Sequence, residues 1–80
     1  MSESTAKPRQ KFWMGDVPEF CQVTPTLRIV DRMVDGKVPG YSSWANMHPT
    51  TFRRLGGRIG PGSGQLYAKQ SDGRWLKIEG

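Results

Sequence analysis

The chain has 80 residues and 35% hydrophobic content, which suits one small domain and excludes a second. Its formal charge of +5 favours a polyanionic or acidic partner, although Lys and Arg are scattered rather than gathered in runs. A single cysteine excludes an internal disulfide, and no apolar run approaches the roughly 20 residues of a membrane span or the core of a secretory signal, so the expectation is a soluble chain made in a reducing compartment.

So short a chain usually needs a metal, disulfides or a partner to offset chain entropy of about 1.5 kcal/mol per ordered residue. Aromatic packing around Trp13, Trp44 and Trp75, or association with another surface, has to supply the difference, and the expectation is association.

Residues 1–11 have no apolar period and are expected to form a flexible N-terminal arm, ahead of a single small domain over 12–80. Phe12, Trp13 and Met14 follow as an aromatic cluster that serves either as an anchor for a partner or as a lid on the domain's own core. Pro25 keeps the next stretch extended, and Leu27 to Val34 alternates polar and apolar side chains, predicting a strand that turns at Asp35-Gly36. The return strand is expected within Lys37 to Ser43, short or at an edge because of Pro39 and Gly40. Pro49 predicts a helix of about two turns, capped by Asn46 or His48 and stopped by Gly56-Gly57. Phe52 and Leu55 then face the core while Arg53 and Arg54 face outward. Gly56 to Gly64 holds five glycines and one proline but lacks the Lys-Ser/Thr close of a phosphate-binding loop, so it reads as a connector that permits close backbone approach. A second hairpin is predicted from Gln65 to Gln70 and Arg74 to Glu79 around Ser71-Asp72-Gly73.

Two residue pairs carry the spacing of a zinc site: Cys21 with Thr24, and His48 with Thr51 at the start of the helix. A structural zinc needs about four Cys or His ligands, and a threonine hydroxyl does not replace a thiolate, so these are read as vestigial slots without metal. A mixed site of Cys21 and His48 with Asp16 or Glu19 has no spacing signal. Catalysis by Cys21 would use His48, the one histidine, as base, yet no third group has an orienting role and the seven carboxylates are dispersed. Neither an enzyme nor a cofactor is expected.

The run Trp44 to Thr51, followed by Arg53-Arg54, the glycine-rich Gly56 to Gly64, Gly64-Gln65 and Asp72-Gly73-Arg74-Trp75, resembles small tailed-phage and prophage proteins carrying two CxxC pairs. The resemblance spans residues 18–80, and in those proteins cysteines stand where Cys21, Thr24, His48 and Thr51 stand here. It implies a small α+β fold, two β-hairpins with one short helix between them, arranged like a zinc ribbon or treble clef without metal. It also implies a non-enzymatic minor virion protein that cements or decorates a capsid, with capsid protein as partner, Met1 to Met14 as arm and Gly56 to Gly64 as contact loop. Phe12, Trp13, Met14, Arg53, Arg54, Arg58, Tyr67 and Trp75 are the expected partner-binding residues, in the virion or host cytoplasm. The alternative is a small phage regulator that binds nucleic acid or host RNA polymerase, with Arg28, Arg32, Lys69, Arg74 and Lys77 adding charge and Tyr67 and Trp75 stacking on unpaired bases.

Overall fold

The computed structural model describes residues 10–80, so most of the expected arm lies outside the described residues. Strands β1 (Arg32–Gly36), β2 (Ala45–Met47), β3 (Gly64–Lys69) and β4 (Trp75–Glu79) form one antiparallel sheet in the order β2-β1-β3-β4, with a single short helix, α1 (Pro49–Arg54), between β2 and β3. The architecture is small α+β, and the antiparallel pairs β1–β2 and β3–β4 are joined edge to edge through β1 and β3.

The second hairpin forms where its turn chemistry places it. Gly73 takes φ 90°, which other residues rarely adopt, and Asp72 closes the turn by accepting from the Arg74 backbone N–H at 2.9 Å and its Nε at 2.8 Å. The helix also follows its signals. His48 Nδ1 accepts from the Thr50 N–H at 3.1 Å, Pro49 opens the first turn, and Gly56 ends the helix at φ 85°. Asn46, the other candidate cap, is instead a residue of β2.

The first hairpin departs from expectation. Asp35-Gly36 is not a turn: it is the end of β1, paired with Asn46 and Ala45 on one side and with Gln65 and Gly64 on the other. Residues 27–31 precede the strand, and the return strand is Ala45–Met47 rather than a segment of Lys37 to Ser43. The physical reason is packing. The Phe52 ring lies against Gly36, where a Cβ would stand 2.7 Å from Cε1, so this glycine serves close approach and not a turn. The reversal falls instead at Pro39-Gly40, with Gly40 at φ 89° and the Tyr41 N–H donating to Val38 O at 3.1 Å, the arrangement of a type II turn.

Strand alternation gives the sheet two buried faces. Val34, Met47, Cys21, Val38 and Phe52 pack on the helix side, with Leu55 and Leu66 against them. Met33, Ile29 and Tyr67 pack on the other, covered by Trp13, Val17 and Trp75. One segment serves both faces: Trp13 and Val17 cross beneath the second, and Cys21, Val23 and Leu27 reach the first. It also closes both sheet edges. Lys11 O accepts from the Lys77 N–H at 2.8 Å and Trp13 N–H donates to Trp75 O at 2.9 Å along β4, while Gln22 N–H donates to Asn46 O at 3.0 Å along β2.

Candidate functional site

The four positions with zinc-like spacing come together. Cys21, Val23 and Thr24 lie in the loop that dips under the helix side of the sheet, and Thr51 sits in the first turns of α1, 2% exposed. Thr24 N–H donates to Cys21 Sγ at 3.2 Å, and the Thr51 hydroxyl donates to Thr24 Oγ1 at 3.0 Å. His48 enters through its backbone N–H, directed at Sγ, while its imidazole is occupied by the cap on Thr50. Burial, the largest influence on the Cys21 thiol, pushes its pKa up, but backbone N–H groups of Thr24, His48 and Val23 and the Thr51 hydroxyl together hold it below its ordinary value. One hydroxyl proton cannot serve both acceptors.

The result is a hydrogen-bonded knot that ties the Cys21 loop to the start of α1. Cys21 is 1% exposed, and among the described residues no three His, Cys, Asp or Glu side chains cluster as metal ligands.

The residues expected at a partner surface divide into two groups. Tyr67 is 6% exposed and makes an edge-on contact with Trp13 at 5.5 Å between ring centres, and Trp75 packs beside them. These three rings form the second core, because sheet alternation places Tyr67 beside Met33 and the Lys11–Trp13 segment lays Trp13 across them; Tyr67 is therefore buried rather than presented at the surface. Phe12 is half-buried, with the Arg74 guanidinium 4.1 Å above its ring. Of the aromatic cluster only Met14 is free, 86% exposed. Arg53, Arg54 and Arg58 are exposed, as expected.

A polar row runs along the second face from Asn46 through Asp35 to Gln65. Asp35 Oδ1 accepts from Asn46 Nδ2 at 3.3 Å, and burial raises its carboxyl above the usual range. Tyr67 donates to Gln65 Oε1 at 3.1 Å, and burial first, then the charge of Asp35, raises the phenol.

A feature absent from the sequence reading is an open cleft of about 440 Å³ between two Pro-Gly turns. One wall is Lys37 to Tyr41. The other runs from Gly56 through Arg58 to Ser63, where Gly62 takes φ 75° and Ser63 N–H donates to Gly60 O at 3.0 Å. Lys37 N–H donates to Ser63 O at 3.1 Å and holds the walls together. Lys37 and Arg58 are exposed and are the charged residues of the lining, which contains no carboxylate, and Tyr41 is half exposed at the rim. The sequence signal was the pair of Pro-Gly dipeptides, legible as turns but not as neighbours.

No family model, curated protein or solved structure matches the chain.

Proposed function

We propose that this chain is a non-enzymatic binding module with a zinc-ribbon or treble-clef-like arrangement that has dispensed with metal, and that it acts as a minor phage virion protein cementing or decorating a capsid. The observation that carries the reading is the knot: the one thiol and the one imidazole, the side chains best suited to metal or nucleophilic chemistry, are both already engaged, the thiol in the buried loop that Thr24 and Thr51 tie to the helix and the imidazole in capping that helix. What remains for function is surface, and the surface offers half-exposed Tyr41 and Trp44, exposed Met14, and the cations Arg53, Arg54 and Arg58.

The engagement of the N-terminal aromatics supports a contact face elsewhere. Phe12 and Trp13 are engaged with β4 and the second core, so docking runs through the Lys37–Trp44 loop and the glycine-rich connector rather than through an N-terminal aromatic anchor. Mass spectrometry of purified particles tests this reading: a virion protein is present stoichiometrically, and its absence overturns it.

One observation favours a second reading, a small regulator that binds nucleic acid or host RNA polymerase. The cleft between the Pro-Gly turns is basic and free of acid, and it is lined by an aromatic side chain. Binding that weakens steeply as salt rises supports this reading over the first.

A further inference from the structure

We propose that the cleft between the Pro39-Gly40 and Pro61-Gly62 turns binds single-stranded nucleic acid, with Lys37 and Arg58 on its phosphates and Tyr41 stacked on an unpaired base. The inference rests on the nucleic-acid reading above and gives it a site.

Three observations converge on that ligand. The first is charge: exposed Lys37 and Arg58 are both among the residues lining one opening and no carboxylate is, so an anion held there meets no opposing charge from the lining. The second is the aromatic at the rim. Tyr41 is 47% exposed, and it lies on a turn fixed by its own N–H bond to Val38 O. A positively charged groove with an aromatic platform is the usual recipe for binding single strands, because every base offers a π face whatever its sequence.

The third is shape. Gly40, Gly56, Gly57 and Gly62 line the cleft without side chains, leaving bare backbone against which a sugar-phosphate chain can lie. A volume of about 440 Å³ has room for one or two nucleotides and none for a duplex, whose bases in any case present no free face to Tyr41. An acidic peptide satisfies the charges but gives Tyr41 no role. The Pro-Gly turns also fix both walls before binding, so little ordering is required when ligand arrives.

The experiment is fluorescence anisotropy of an end-labelled twelve-nucleotide oligothymidylate, with oligouridylate, a duplex of equal length and oligoglutamate as the other arms, at two salt concentrations. The full chain is compared with Lys37→Gln, Arg58→Gln, Tyr41→Ala and Tyr41→Phe, and with Lys11→Gln as an exposed cation outside the cleft. Thermal melts establish that each variant is folded.

The expected result is that both charge variants weaken single-strand binding and each lowers the salt slope by about 0.7, the value for one phosphate contact on a single strand. Tyr41→Ala weakens binding by about tenfold, the scale of one base stacked on an aromatic, and Tyr41→Phe restores it. Lys11→Gln leaves binding unchanged. Oligonucleotide binding that ignores the cleft variants overturns this site while leaving the nucleic-acid reading standing. Absence of binding by the unmodified chain overturns both. Equal affinity for duplex or oligoglutamate, with no effect of Tyr41→Ala, shows charge attraction alone and also overturns the proposal.

Discussion

Gly57→Ala is the sharpest test of how the helix is held to the sheet. Phe52 is 1% exposed, and its ring is enclosed by three glycines: a Cβ would stand 2.4 Å from its Cε1 at Gly57, 2.6 Å from its Cζ at Gly64 and 2.7 Å from its Cε1 at Gly36. Carbon atoms pack at about 3.5–4.0 Å, so a methyl at Gly57 has to displace the ring by about 1 Å, and the glycine backbones at positions 36 and 64 block the way. Gly57 lies outside the left-handed region, so alanine there carries no backbone penalty and the clash is the whole native-state effect. Overpacking of this kind costs about 1–3 kcal/mol, offset by about 0.4–1 kcal/mol because alanine restricts the unfolded chain. The expected net loss is on the order of 1–2 kcal/mol, or about 4–16 °C in melting temperature for a domain of this size. Urea unfolding followed by tryptophan fluorescence measures it, with Gly60→Ala as the control, since a Cβ there meets nothing within 4 Å. Phe52→Leu in the Gly57→Ala background should recover part of the loss, because a smaller side chain relieves the same contact. Equal stability of Gly57→Ala and Gly60→Ala would refute the cradle.

The purified chain is expected to hold no stoichiometric zinc and to melt at the same temperature with and without chelator; the Thr24→Cys/His48→Cys/Thr51→Cys triple variant, with thiolates at all four positions, should take up about one zinc by elemental analysis. Asp35→Asn should raise stability at neutral pH. The native carboxyl pKa is raised by burial, so the folded state binds more protons than the unfolded chain and loses stability as pH rises through the carboxylate range; the benefit of the variant should therefore vanish at low pH, and a gain independent of pH contradicts this account. Trp13→Ala should lower the melting temperature through loss of its contact with Tyr67 and of buried area, while Met14→Ala should not, and equal effects would mean that Trp13 is not part of the second core.

Local signals and tertiary ones separate cleanly in this chain. The β3–β4 hairpin, the His48 cap and the Gly56 stop were legible because each depends on residues within one turn. The spacing made each of the pairs Cys21 with Thr24 and His48 with Thr51 legible, but their meeting is a tertiary contact that spacing does not show. Asp35-Gly36 was not, because the same dipeptide suits a hairpin turn and a strand end that must admit an aromatic ring, and only the position of Phe52 distinguishes the two. The burial of Tyr67 and Trp75 was not legible for the same reason. A hairpin aromatic is surface or core according to what covers that face, and the cover here is Trp13, far away in sequence. The cleft required β1 to pair with β3, a non-local contact that brings Lys37 to Ser63.

The knot and the cleft are parts of one mechanical path. A structural zinc binds with about 10–16 kcal/mol in small peptides, whereas a buried hydrogen bond contributes about 1 kcal/mol net, so the bond between Thr24 and Thr51 cannot supply a metal's share of stability. Stability has to come from the two apolar faces and the closed sheet edges; what the knot can supply is position. It fixes the first turn of α1 against the Cys21 loop, and the next residue, Phe52, then enters the pocket that Gly36, Gly57 and Gly64 leave open. Phe52 O in turn accepts from the Gly57 N–H at 2.8 Å, which sets the direction of the connector as it leaves the helix. Arg58 follows immediately. The wall of the cleft that carries it is therefore placed by the same short helix that the threonines hold, and loosening the knot should move Arg58 relative to Lys37 before it unfolds the domain.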